Sequence, residues 1–397
     1  MTDFAWTRDQ FHLPEGVIYL DGNSLGPMPK ATPARVQQVM EPEWRDQLIG
    51  GWVGAGWHLA PERLGDRIAA MIGAEAGHVV VGDTLSIKIY QALAAALALR
   101  PDRRVILSDT GNFPSDLYMA QGLAHTLGNG TRLKTVAPED VAEHITDEVA
   151  VLMLTEVDYR TGRRHDMKVL TAKAHEVGAI TVWDLAHSFG ALPVDLAGCG
   201  ADFAAGCTYK YINAGPGAPA FIYVAPEHAG RACTALQGWQ GHDAPFAFEQ
   251  DYRPATEVVR MRVGTPPVLQ LAALEAALDI WEQVDMNDIR ARSIELCERF
   301  IAGVEESCPQ LRLASPRDAA QRGSQVSFHF EEGYAAMQAL IARGVIGDFR
   351  APDIMRFGFT PLYIGPEDVD RAVEILAEII NWDLWDRPEY KVKAIIT

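Results

Sequence analysis

The chain has 397 residues, 48% of them hydrophobic and 22% charged, a balance that fits an ordinary soluble globular protein and excludes a disordered or membrane-embedded one. Its formal net charge of -18 argues against nucleic acid or an anionic membrane as a partner, because both reward a basic surface. The five cysteines include no CxxC pair, so neither a zinc site nor a disulfide framework is expected, only reduced and buried thiols.

The first residues carry Asp3, Arg8, Asp9 and Glu15 and lack the apolar run of a signal peptide, and no later stretch reaches membrane-spanning length. A cytoplasmic location is expected. A short strand is read at 17–20. From there to residue 224, β-rich runs at 78–81, 104–107, 133–136, 150–154, 179–183, 201–205 and 220–224 alternate with helical patterns such as 86–99, 116–127 and 167–177. That rhythm predicts an α/β fold with a mainly parallel central sheet covered by helices on both faces. The triplet Asn129-Gly130-Thr131 reads as a turn.

Beyond Pro267 the pattern changes to long amphipathic helices at 268–284 and 287–306, a strand at 325–330, a helix at 334–343, strands at 345–349 and 354–359, and a last helix at 366–380. This predicts a smaller α+β domain. No repeat or linker tract interrupts the chain, and a helix is expected to cross between the domains. Three parts are expected: an N-terminal segment over 1–50 that packs with the small domain, a large domain over 51–270, and the small domain over 271–397.

The run 179–183 leads straight into Asp184-Leu185-Ala186-His187-Ser188, which puts a carboxylate and an imidazole at the C-terminal edge of a strand, where ligands of such sheets collect. The next apolar run ends at Tyr209-Lys210, before the glycine-rich turn Asn213-Ala214-Gly215-Pro216-Gly217. Lys210 is flanked by small and aromatic residues rather than counter-charges, a setting that favours a depressed amine pKa and a neutral nucleophile for a Schiff base. A snorkelling lysine at a strand end is the other reading of the segment. One strand–loop–strand unit separates Asp184 from Lys210, so both side chains can share a cleft, with the carboxylate available to a protonated pyridine nitrogen.

Eight segments carry a resemblance in order along the chain: 19–26 (YLDGNSLG), 52–57 (WVGAGW), 112–118 (NFPSDLY), 183–188 (WDLAHS), 207–213 (CTYKYIN), 238–242 (GWQGH), 264–267 (GTPP) and 355–363 (MRFGFTPLY). Over nearly its whole length the chain resembles the kynureninases, fold-type I pyridoxal-5'-phosphate enzymes. The resemblance implies that Lys210 carries the cofactor as a Schiff base, that Asp184 partners the pyridine nitrogen, and that His187 lies near the cofactor's 3'-oxygen. It implies that Phe113 stacks on the ring, that Leu85, Ser86, Pro114, Ser115, Asp116, Thr155 and Tyr209 contact the cofactor, and that Tyr209 relays a proton. Trp239 and Thr265 match positions that reach the phosphate from a partner subunit, which implies a homodimer with shared active sites.

The resemblance further implies that Arg356 grips a substrate α-carboxylate, a bidentate task suited to a guanidinium fork, and that Asn23 and Trp52 line the pocket for an aromatic side chain. The implied activity is hydrolysis of L-kynurenine to anthranilate and L-alanine, in tryptophan catabolism and toward NAD biosynthesis. Trp52 and Thr265 resemble the bacterial-type pocket, which leans toward kynurenine over its 3-hydroxy form. Lys88 stands where the resembling enzymes commonly carry asparagine; on a helix and facing away from Ser86, it is expected to be exposed or partly snorkelled.

Other chemistries fit less well. Gly22-Asn23-Ser24-Leu25-Gly26 matches the G-x-S-x-G pattern, but Pro27 and Pro29 follow where a nucleophile elbow needs a helix. Neither a dinucleotide fingerprint nor a P-loop is present, and His175-Glu176 is followed by Ala179 where a zinc helix needs histidine, so no metal is expected. A non-catalytic carrier would not need Arg356 or the Asn23 and Trp52 pocket. A desulfurase would want a loop cysteine, and Cys297 and Cys308 both fall near predicted helices.

Overall fold

The computed structural model describes residues 1–393. The short strand β1 (Ile18–Tyr19) precedes the seven runs read as strands, which form β2 (Val79–Val81), β3 (Val105–Asp109), β4 (Arg132–Val136), β5 (Val149–Thr155), β6 (Ile180–Asp184), β7 (Phe203–Gly206) and β8 (Phe221–Val224). They lie in one sheet in the order β2-β8-β7-β6-β5-β3-β4. Only β8 runs against its neighbours, β2 and β7; the other pairs are parallel.

Strands buried on both faces read as continuous apolar runs, and here the two faces feed two cores. Val80, Ile106, Val151, Met153, Val182 and Ile222 pack beneath the helix Leu85–Leu99, whose Ala92, Ala95 and Ala96 let its backbone lie close to the sheet. Val81, Leu107, Leu152, Leu154, Trp183 and Phe221 face the other way, into a core shared with the rest of the chain. The helix Pro114–Leu127 begins with proline at its first position, where no backbone N–H is needed, and stops at Gly128 in the left-handed region.

The second sheet has four antiparallel strands in the order β12-β13-β10-β9, formed by β9 (Arg312–Leu313), β10 (Gln325–His329), β12 (Asp348–Arg350) and β13 (Ile354–Gly358). The helices Met286–Ser307, Gly333–Ile341 and Pro366–Asn381 accompany it. The single strand expected at 345–349 is two. β11 (Val345–Ile346) leaves to pair in parallel with β1, whereas β12 pairs with β13. The break falls at Gly347, where a Cβ would press on the Arg356 carbonyl oxygen and the Phe357 ring, so the chain bends at the one residue that tolerates the approach.

The N-terminal segment joins the C-terminal part through the pairing of β1 with β11 and through an ion pair of Arg8 with Asp368 on the helix Pro366–Asn381, while the helix Thr32–Gln38 lies along Val268–Trp281, with Arg35 bridging Glu43 and Glu275. Cys207, Cys297 and Cys308 are buried as expected, but Cys233, in the loop beyond β8, is exposed, and Cys199, the last residue of the short helix Leu196–Cys199, is half-buried. Among the described residues no helix is long and apolar enough to cross a membrane.

Candidate active site

The C-terminal ends of β2, β3, β5, β6 and β7 open on one cleft of about 260 Å³. Its walls carry Thr84, Leu85, Ser86, Phe113, Ser115, Thr155, Tyr159, Asp184, His187, Tyr209 and Lys210. Nine of these were expected from the sequence; Thr84 and Tyr159 were not.

Lys210 follows β7 and is held from below: its backbone neighbour Tyr209 accepts a hydrogen bond from Gly26 N at 2.8 Å, and Asn213 N returns to the Lys210 carbonyl at 2.9 Å. The Lys210 Nζ lies 3.0 Å from His187 Nε2 and 6.0 Å from the centre of the Phe113 ring. Gln325, on β10, decides the state of that histidine. Its Nε2 donates to the Tyr159 carbonyl at 3.1 Å, which turns Oε1 toward His187 Nδ1 at 3.1 Å. Nδ1 therefore carries the proton and Nε2 accepts from Lys210. Burial, with Lys210 and Arg356 nearby, drives the imidazole pKa well down, so the ring is neutral.

Asp184 ends β6, 1% exposed. Its Oδ1 accepts from Ala186 N at 2.8 Å, and Thr155 Oγ1 lies 3.4 Å from its Oδ2. Burial raises its pKa, opposed chiefly by Lys210. Asp116, in the first turn of Pro114–Leu127, is equally buried, and neither carboxylate oxygen has a hydrogen-bond partner among the described residues. Burial and the facing Asp184 carboxylate push Asp116 well up, which keeps it protonated. Tyr209 is likewise raised by burial and stays a phenol.

Pyridoxal phosphate fits these residues. Among the described residues the buried Asp184 carboxylate has no cation at its own oxygens, and a protonated pyridine nitrogen would supply one. Thr84 caps the helix Leu85–Leu99 with no side-chain hydrogen bond, so the first-turn N–H groups open on the cleft as an anion site. Phe113, 44% exposed, offers a ring face beside the lysine.

The remaining expected residues lie outside that wall. Arg356, 2% exposed on β13, already holds partners: Nε donates to Asp348 Oδ1 at 2.7 Å, Nη2 to Asp348 Oδ2 and to Ser24 Oγ, and Nη1 to the Tyr159 carbonyl at 2.6 Å. It joins the cleft through Tyr159, whose ring meets Phe113 edge-on at 5.1 Å. Asn23 is 1% exposed beneath Gly358, with both amide atoms unpartnered among the described residues. Trp52, on Gly51–Gly54, meets Trp239 edge-on at 6.2 Å. Trp239 and Thr265 line two other hollows, the second shared with Lys88.

The expectation for Lys88 is overturned. It is wholly buried, and its Nζ bonds Asp83 at 3.0 Å, Gln91 at 3.0 Å and the Met261 carbonyl at 2.9 Å. The segment around Met261 covers the helix face that local periodicity left open. The sequence reading also missed Gln325, Tyr159 and Asp348. Gln325 and Asp348 are brought to the site by strand register and Tyr159 by the turn after β5, and no local motif marks them.

Solved structures with this fold include a cysteine desulfurase from Thermococcus onnurineus NA1, at a TM-score of 0.81 and 20% identity over 95% of this chain and 98% of that one. A cysteine desulfurase from Escherichia coli gives a TM-score of 0.80 at 20% identity over 96% of this chain and 99% of that one. Fold and cleft together define a fold-type I pyridoxal-phosphate enzyme. Residues 289–376 match the family model for the kynureninase C-terminal domain, and the chain is 51% identical to a kynureninase of Pseudomonas fluorescens and 49% identical to one of Burkholderia pseudomallei (strain 1106a), in each case over 98% of this chain and 95% of the relative. The chain belongs to the kynureninase family.

Proposed function

We infer that the enzyme hydrolyses the Cβ–Cγ bond of L-kynurenine, adding one water to give anthranilate and L-alanine. The observation that carries this is the placement of Lys210 Nζ against a neutral His187, beside Phe113 and across from a buried Asp184 that lacks a cation, in a chain half identical to kynureninases end to end. Bound pyridoxal phosphate supplies an electron sink conjugated to the substrate α-carbon. Asp184 would hold the proton on the ring nitrogen. Leu85, Ser86 and Ser115 would hold the phosphate at the helix N-terminus, with Pro114, Asp116 and Thr155 shaping the floor. Lys210 would be the base that moves the α-proton, with His187 Nε2 accepting from its amine and orienting it. Tyr209, a phenol at neutral pH, would donate a proton to Cβ, the carbon that stays with the alanine product.

Arg356 receives the α-carboxylate, and Asn23 and Trp52 shape the aromatic pocket. A homodimer carries Trp239 and Thr265 to the neighbouring site. The strongly exposed Ile49, Val53 and Phe248, at 81%, 89% and 79%, support such an interface. The division into parts over 1–50, 51–270 and 271–397 is supported by the pairing of β1 with β11 and by the separation of the seven-stranded from the four-stranded sheet. A cytoplasmic place in tryptophan catabolism, feeding NAD biosynthesis, accords with this reaction. A desulfurase activity gains no support from Cys297 and Cys308, buried thiols pushed up to about 11 by desolvation.

The test is an absorbance scan of purified protein followed by L-kynurenine with fluorescence detection of anthranilate. A cofactor band and anthranilate release are expected. A band without anthranilate would remove the reaction while leaving the fold.

A further inference from the structure

The carboxylate site around Arg356 contains more charge than one substrate needs. Asp348 occupies the fork of Arg356 and also pairs with Arg350 at 2.6 Å. Asp348 and Arg356 are 1% and 2% exposed. A second carboxylate residue, Asp21, two positions past β1, adjoins the same cluster: its carbonyl accepts from Ser24 N at 2.9 Å, and the Ser24 hydroxyl accepts from Arg356 at 2.7 Å and donates to Asp348 at 2.9 Å, so the charges of Asp348, Arg350 and Arg356 act on it. The other titratable groups facing it are the phenols of Tyr19, Tyr211 and Tyr363. With both acids ionised the two arginines are already neutralised, and a substrate carboxylate would bring an unbalanced negative charge into a desolvated site, which costs several kcal/mol unless it is compensated. Asp21 Oδ1 is buried and has no hydrogen-bond partner among the described residues, as suits a carboxyl group that spends part of its time protonated.

We propose that Asp21 is the charge-balancing residue of the substrate-carboxylate site: Asp348 stays on Arg356 and orients the fork, and Asp21 takes up one proton as the substrate's α-carboxylate enters. Asp348 cannot serve this way, because four hydrogen bonds to ionised or hydroxyl donors hold its charge in place. Burial and the Asp348 carboxylate raise Asp21 to about 7, so near neutral pH the group is poised between its two forms. This rests on the reading of Arg356 as the carboxylate anchor.

The experiment compares two probes of the holoenzyme that differ by one carboxylate, L-alanine and ethylamine, with apparent Kd read from cofactor absorbance from about pH 6 to about pH 8.5. The ratio of the two Kd values isolates the carboxylate from proton changes shared by both amines. In the wild type, L-alanine should weaken relative to ethylamine as pH rises, by up to about tenfold per unit above about pH 7. In Asp21→Asn, a neutral isostere, the ratio should stay flat and L-alanine should bind more tightly than to the wild type at about pH 8, roughly tenfold for one unit above the titration. A pH-independent ratio in the wild type overturns the proposal without needing a variant, and so does an Asp21→Asn profile that matches the wild type. Arg356→Gln separates the two readings. If it weakens both probes equally, the anchor fails and this inference falls with it; if it weakens L-alanine alone while Asp21→Asn keeps the wild-type profile, only Asp21 is wrong.

Discussion

At the scale of single residues, the cleft is built from side chains whose protonation is set by what they lack. Asp184 has backbone and hydroxyl donors but, among the described residues, no cation at its oxygens, Asp116 is buried facing the Asp184 carboxylate, and His187 is held in one tautomer by Gln325. A carboxylate beside a bound cation gains about 1 to 3 pKa units of stabilisation, and the cation gains the same in return. Asp184→Asn keeps the shape and removes that charge, so turnover should fall about a hundredfold and cofactor should be lost more readily on dialysis. Steady-state kinetics and retained absorbance check this; full activity would remove Asp184 from the chemistry. Lys210 and Asp184 were legible in the sequence because each ends an apolar run. Gln325 was not, since it meets His187 from a strand 138 residues further along.

At the scale of elements, the helix Leu85–Leu99 shows why an amphipathic pattern is an incomplete guide. Its mean character is apolar all round, which is the mark of a buried helix, yet Lys88 looked like the exposed residue of its first turn. The structure instead covers Lys88 with the segment Glu257–Met261, and the ammonium satisfies the Met261 carbonyl there. This ties the N-terminus that would hold the phosphate to the stretch leading into Thr265. Lys88→Met should therefore cost about 1 to 3 kcal/mol, the usual penalty for a lost buried hydrogen-bond partner, and should loosen cofactor binding. Urea unfolding with cofactor titration reads both effects, and a variant as stable as the wild type would show Lys88 to be idle.

At the scale of the whole molecule, the cleft occupies one edge of the sheet and a separate polar clamp holds the other. Asp202, just before β7, accepts hydrogen bonds from His175 Nε2 at 2.8 Å, His228 Nε2 at 2.7 Å and Thr181 N at 2.8 Å, joining two helices to β6. The bond to Asp202 raises the His175 pKa, and Asp202 is held well below the usual carboxylate range, burial opposing His175 and His228. A raised histidine contributes fully below its unfolded pKa of about 6.5 and loses that contribution as pH climbs through the folded value, while the lowered Asp202 gives way only in strong acid. His175→Ala should then destabilise the protein more at about pH 5.5 than at about pH 8.5. Equal losses in denaturant titrations at the two pH values would sink this account.

The sequence by itself determined most of the elements and one juxtaposition: apolar runs of strand length, helices with their glycine and proline boundaries, and a carboxylate and a lysine at and just past consecutive strand ends. These are local properties, written in the spacing of neighbouring residues. Tertiary structure alone decided where the expected strand at 345–349 breaks, that Lys88 is buried, and that the Arg356 fork is already filled by Asp348. Each depends on a surface arriving from far along the chain. Burial and pairing of a charge belong to the packed molecule, and periodicity cannot report a neighbour that only the fold supplies.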